Sequence, residues 1–193
     1  MSLAHLVAHR GVCFVARFVA RSFAGALLLG LLAACAPADE PQLLRIPVAA
    51  LGERTLNQQV SITRGGTTRS FDAVVEIDAR RLRLVASGVG LRLLALDYDG
   101  ERLAISDNRL PEGLPPAWIM NDMLYALAPI ETLRKALPAG WQVVDEEGSR
   151  ILLKDGQPAI DIEYGPDAPW NGSLRVQQRL GGYTLDIVSA EVK

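Results

Sequence analysis

From Phe71 to Ile77 the chain alternates strictly, with Phe71, Ala73, Val75 and Ile77 set against Asp72, Val74, Glu76 and Asp78. A period of two puts one set on a buried face and the other on an exposed face of a strand. Thr55 to Arg64 reads as its partner, with Gly65-Gly66 at the turn. Leu82, Leu84 and Ala86 continue the alternation until Ser87-Gly88-Val89-Gly90 breaks it. Leu91 to Tyr98 follows, with Leu91, Leu93 and Ala95 on one face and Leu94 and Leu96 on the other. A strand apolar on both faces must be covered on both, one under helices and the other against a filled core or a ligand cavity. Asp99-Gly100 signals a two-residue hairpin, because both positions tolerate φ > 0. Leu103 and Ile105 then mark a fifth strand.

A breaker-rich link, Pro111 to Pro116, interrupts this meander. Pro116 suits the first turn of a helix, and Trp118, Ile119, Asp122, Met123, Tyr125 and Ala126 follow at mixed helical spacing. After Pro129, residues Ile130, Leu133, Ala136 and Leu137 share one face of a second short helix, which Pro138 and Gly140 end. Five more short strands follow. Their turns fall at Glu147-Gly148, Asp155-Gly156, Asn171-Gly172 and Gly181-Gly182, and their alternation is clearest at Ile160, Ile162 and Tyr164 and at Tyr183, Leu185 and Ile187. The expected fold is mainly β, with two short central helices.

The N-terminal stretch differs in kind. Residues 1–34 hold Arg10, Arg17 and Arg21, no acidic residue, and an apolar run from Phe23 to Ala34. This is the charge and hydropathy order of a secretory signal, and the run is shorter than the ~20 residues of a spanning helix. It ends at Leu32-Ala33-Ala34-Cys35, which resembles the lipobox of bacterial lipoproteins. The resemblance implies cleavage between Ala34 and Cys35 and lipidation of Cys35, with residues 35–42 a polar tether and 43–193 a single β domain. Several acyl chains on one cysteine anchor a domain stably, at ~0.8 kcal/mol per buried methylene. Ala36, where an aspartate favours inner-membrane retention, implies the periplasmic face of the outer membrane.

Processing at Cys35 also narrows the chemistry. The only histidines, His5 and His9, and the only other cysteine, Cys13, lie in the leader. A chain starting at Cys35 therefore has no histidine–nucleophile pair, no internal disulfide and no His/Cys metal site. Losing three of 20 basic residues against 22 acidic ones leaves a net charge of −5. That sign gives no general attraction for nucleic acid. Asp97, Asp99 and Glu101 sit at a hairpin tip and read as turn residues, and Asp145 to Glu147 as a solvated acidic turn. The chain is expected not to be an enzyme and to need no cofactor or metal.

The order of lipobox, tether, five strands, two helices and five strands resembles the LolA/LolB-like fold, an incomplete antiparallel β-barrel closed by helices around an apolar cavity. Arg92-Leu93-Leu94-Ala95-Leu96-Asp97-Tyr98-Asp99-Gly100 and Tyr183-Thr184-Leu185-Asp186-Ile187 are also similar to an uncharacterised family of bacterial lipoproteins, often encoded beside aryl polyene or fatty-acid-type biosynthesis genes. The resemblance implies an apolar cavity, and the candidates to line it are the apolar strand residues Phe71, Val75, Ile77, Leu93 and Ala95 and the helical group Trp118, Met120 and Met123, methionine being adaptable to irregular apolar ligands. It also implies that Gly88, Val89 and Gly90 form a membrane-contact loop. The function it implies is a carrier or receptor for an acylated or otherwise hydrophobic ligand, such as a lipid, a lipoprotein or a polyene-type product. The expected partners are the membrane, through acylated Cys35, the ligand's acyl chains, and envelope lipoprotein-sorting or lipid-export proteins. The alternative is a non-catalytic accessory lipoprotein that binds a protein partner in an envelope assembly.

Overall fold

The computed structural model describes residues 42–110 and 114–192, so the expected leader, cleavage site and Cys35 lie outside the described residues. The first meander consists of β1 (Arg54–Arg64), β2 (Thr67–Ile77), β3 (Leu82–Gly88), β4 (Leu91–Tyr98) and β5 (Leu103–Asn108). Helices α1 (Pro116–Leu127) and α2 (Ile130–Ala136) follow. The second meander is β6 (Trp141–Glu146), β7 (Ser149–Lys154), β8 (Gln157–Tyr164), β9 (Gly172–Gln178) and β10 (Tyr183–Glu191). This five-strand, two-helix, five-strand order is the one the sequence signals indicate, and it agrees with the LolA/LolB-like architecture.

All the strands belong to one antiparallel sheet, ordered β5-β4-β3-β2-β1-β10-β9-β8-β7-β6. Within each meander, neighbours in sequence are neighbours in space. The seam is long-range: β1 pairs with β10 from Leu56 opposite Glu191 to Arg64 opposite Tyr183. The alternation is realised as burial, with Ala73, Val75 and Ile77 of β2 buried and Asp72, Val74 and Glu76 exposed.

The inner face of the sheet is covered by α1, whose residues from Met120 to Leu127 are all buried. A helix end at such depth leaves carbonyls that need donors. Arg150, itself buried, supplies two: its Nη1 donates to the carbonyls of Tyr125 (2.6 Å) and Ala128 (2.9 Å). Its Nε donates to Asp145 at 2.8 Å, which balances the charge. Tyr164 Oη donates to the Ala126 carbonyl at 2.8 Å. Pro116 occupies the helix start, where a missing N–H costs nothing.

The segment before β1 docks on the other side of α1. Asn121 Oδ1 accepts from the Leu44 amide, and its Nδ2 donates to the Gln42 carbonyl, both at 2.9 Å. Tyr98 Oη accepts from the Ile46 amide at 2.8 Å and reaches the Leu44 carbonyl at 2.8 Å. A 3-10 turn, Val48–Leu51, then leads to β1. Gly100 passes close beneath this segment. Its φ is +99°, and a Cβ there would sit 3.2 Å from the Ile46 carbonyl oxygen. The glycine of the Asp99-Gly100 turn is therefore required twice, by backbone and by packing.

Tyr98→Phe removes the hydroxyl that satisfies buried backbone groups of Leu44 and Ile46. The expected loss is about 1–3 kcal/mol of stability, read as an earlier urea midpoint at unchanged slope.

Candidate functional site

A cavity of about 400 Å³ lies between the inner face of the sheet and α1. Strands β1 to β4, β9 and β10 contribute to its wall, and Ile119, Met123, Ala126 and Leu127 of α1 form its roof. Most of the lining is aliphatic. Two small side chains, Ala73 on β2 and Ala126 on α1, stand where larger ones would fill the space. Apolar walls and a few placed polar groups are the usual make-up of a small-molecule site.

The two ends of the sheet differ. The end with the β4–β5 turn is closed by the segment bonded to Tyr98 and Gly100. The other end carries the β1–β2, β3–β4 and β9–β10 turns, and here the cavity is bordered by Arg69, Ser70, Gly88, Val89 and Arg109. A second space of about 180 Å³ adjoins it, lined by Ile62, Arg64, Thr67, Arg69 and Leu114.

The β3–β4 turn is unusual. A two-residue turn of this kind needs φ > 0 at both positions and favours Asn-Gly. Here the residues are Val89 (φ 46°) and Gly90 (φ 76°). A β-branched residue in the left-handed region costs ~1–2 kcal/mol. The cost is borne by a valine whose side chain is 100% exposed.

The polar groups on the helix side are deeply buried. Asp122 of α1 is 1% exposed and borders the cavity. Its Oδ1 accepts from Gln178 Nε2 at 2.9 Å, and its Oδ2 accepts a short hydrogen bond from Tyr183 Oη. Burial pushes the carboxyl up to about 7, against which the two hydrogen bonds act. The same burial and the neighbouring carboxylate push the Tyr183 phenol up. Across the cavity, Gln58 Nε2 donates to Ser189 Oγ at 3.0 Å.

A family model described as "Protein of unknown function (DUF3261)" matches residues 55–191. The chain belongs to the DUF3261 family. The matched span begins in β1 and ends in β10, so the DUF3261 unit contains the whole sheet and the cavity. No curated protein matches the chain. Among solved structures, a DUF1329 family protein from Desulfovibrio piger ATCC 29098 is 12% identical, with 74% of this chain and 87% of that one covered and a TM-score of 0.28. Superposition at that level is too loose to relate the two molecules further.

Of the residues expected to line a cavity in this DUF3261 chain, the structure brings together Phe71, Leu93 and Met123. It places the others elsewhere. Val75 and Ile77 sit further along β2, toward the end occupied by the segment docked on Tyr98, where the inner face is packed solid. Ala95 pairs with Val85 and Asp107, beside a register irregularity at Ala95/Leu96, and faces away from the cavity. Met120 is fully buried but outside the lining. Trp118 packs on Tyr183 with ring centroids 6.0 Å apart and lies so close over Gly181 that a Cβ there would overlap its ring.

The expected two-faced pattern of β4 is also corrected. Leu93 and Leu94 both line the cavity, although a regular strand sends neighbours to opposite faces. The register shift between Ala86 and Ser87 in the β3–β4 pairing accounts for this. Sequence reasoning passed over Arg69, Arg109, Asp122 and Ala126. Only Asp122 carried a signal, as a carboxylate inside an apolar helical stretch. Asp97, which bonds Arg81 and Arg83, and Asp99, held at about 2 by the Arg102 and Glu101 amides and the Arg102 side chain, lie outside the lining.

The raised Asp122 value makes stability depend on pH. The folded state keeps a proton that the unfolded chain releases between about pH 4 and 7. Stability from this group is therefore greatest below pH 4 and falls as pH rises through 7. Asp78 and Asp99 are shifted down, so their effects lie below pH 4. Asp122→Asn can keep both hydrogen bonds, its oxygen accepting from Gln178 and its amide donating to Tyr183. Denaturation at pH 5 and pH 8 is expected to show the natural chain losing roughly 2–4 kcal/mol and the variant much less.

Proposed function

We propose that this DUF3261 chain is a membrane-anchored carrier or receptor that holds a hydrophobic ligand, of the lipid, lipoprotein or polyene type, between its sheet and helix α1. The observation that carries this reading is the cavity of about 400 Å³, aliphatic-walled and bordered at one end by Arg69, Ser70, Gly88, Val89 and Arg109. A domain of this size does not need such a space for stability, because unfilled apolar volume weakens packing. The lipobox-like Leu32-Ala33-Ala34-Cys35 supports placement at the periplasmic face of the outer membrane. Val89 supports a membrane-facing mouth: it is exposed, apolar, held in a costly conformation, and borders the cavity. Holding a ligand in this way needs no bond chemistry, in keeping with the absence of histidine after the leader.

Ala73→Phe puts a ring into the cavity from β2. It is expected to cut saturable binding of a fluorescent fatty acid by the full chain at least tenfold while the melting curve stays cooperative. Saturable binding that survives the filled cavity would refute this reading.

Membrane behaviour separates into two parts. Cys35→Ala is expected to release the chain from sedimenting membranes and abolish metabolic labelling with an alkyne fatty acid. Val89→Asn suits the turn better, so it is expected to raise stability by about 1 kcal/mol while slowing ligand exchange with vesicles. Exchange unchanged by Val89→Asn would remove the membrane role of the loop.

A further inference from the structure

Resting on the carrier reading, we infer that the ligand is an anionic amphiphile with one main chain, its carboxylate or phosphate head held by Arg69 and Arg109 at the cavity mouth. Both arginines line the cavity, on the end opposite the segment docked at Tyr98. Arg69 stands on the inner face of β2, in line with Phe71 and Ala73 and opposite Ile62 of β1. The Arg109 backbone is fixed by its amide, which donates to the Leu93 carbonyl at 2.7 Å. Neither side chain makes a hydrogen bond or ion pair with a described residue. Most other arginines of the described residues are paired: Arg81 and Arg83 with Asp97, Arg92 with Asp107, Arg175 with Asp186 and Arg179 with Asp161.

Two guanidinium groups without a partner among the described residues, beside an aliphatic cavity, make it amphipathic in the same sense as a fatty acid. The planar fork of arginine matches carboxylate and phosphate oxygens two at a time. The adjoining space of about 180 Å³, with Arg64, Thr67 and Arg69 in its wall, has room for a head group and shares Ile62, Arg69 and Leu114 with the cavity. The acidic residue of the main lining, Asp122, is on the roof and already bonded to Gln178 and Tyr183.

The size of the cavity selects the tail. An apolar cavity of ~150 Å³ accepts six-carbon benzene. By that measure about 400 Å³ takes roughly sixteen carbons. This fits one long chain better than the several chains of an acylated protein or the two of a phospholipid.

The test is photo-crosslinking of the full chain in nanodiscs with two probes, a diazirine-bearing palmitic acid and the matching hexadecanol. The acid is expected to label peptides of α1 and β9 at least tenfold more than the alcohol, as charge-assisted bonds to the head require. Arg69→Met/Arg109→Met is expected to lower acid labelling to the alcohol's level and leave the alcohol's unchanged, which also shows that the variant is folded. Arg69→Gln and Arg109→Gln singly should give intermediate ratios. Competition by unlabelled palmitate against palmitoyl lysophosphatidate distinguishes a carboxylate from a phosphate head, and displacement by either supports the inference. Equal labelling by acid and alcohol, or an acid preference that survives loss of both arginines, overturns the head-group assignment and leaves the carrier reading standing. Labelling of the cavity peptides by neither probe overturns both.

Discussion

Helix α1 is held against the sheet by polar ties placed around an apolar gap. At its C-terminal end Arg150 and Tyr164 take the free carbonyls. Midway, Asp122 reaches β9 and β10 through Gln178 and Tyr183. On the far side Asn121 holds the segment that starts at Gln42. A helix seated by hydrophobic contact alone would settle onto the sheet until the space closed, since interiors pack to crystal density. Directional bonds to fixed backbone and side-chain partners resist that collapse. The cavity follows from where the donors and acceptors sit as much as from the alanines in its wall.

Those ties are made of groups that are costly to bury singly. A carboxylate at 1% exposure is tolerable because burial shifts it toward its neutral form and two donors face it. Arg150 is tolerable because Asp145 and two carbonyls surround it. Each is satisfied only when α1 is in place, so together they specify one seat for the helix.

The strands and their turns were legible in the sequence because period-two alternation and Gly-containing pairs are local signals. Phe71 to Ile77 and Tyr183 to Ile187 state their own burial, and Asp99-Gly100 and Asp155-Gly156 state their turns. Three things were not local. Docking of Leu44–Leu51 on Tyr98, which fills the inner face beside Ile77, depends on a bond across 52 positions. The register shift at Ala86/Ser87, which turns both Leu93 and Leu94 inward, leaves no mark in either strand's composition. The pairing of Asp122 with Tyr183 spans 61 positions. The cavity residues were half legible for the same reason: alternation shows which face is inner, but not which stretch of it is left uncovered.

The seam between β1 and β10 has a consequence for when this molecule can exist at all. Each meander is built from near neighbours and can form as soon as it is made. The middle of the sheet joins the first strand to the last, the slow kind of contact because a long loop must close first. The walls of the cavity come from both sides of that seam. Until β10 is made, the two walls of the cavity belong to separate half-sheets, so the space exists only once the last strand has closed the seam.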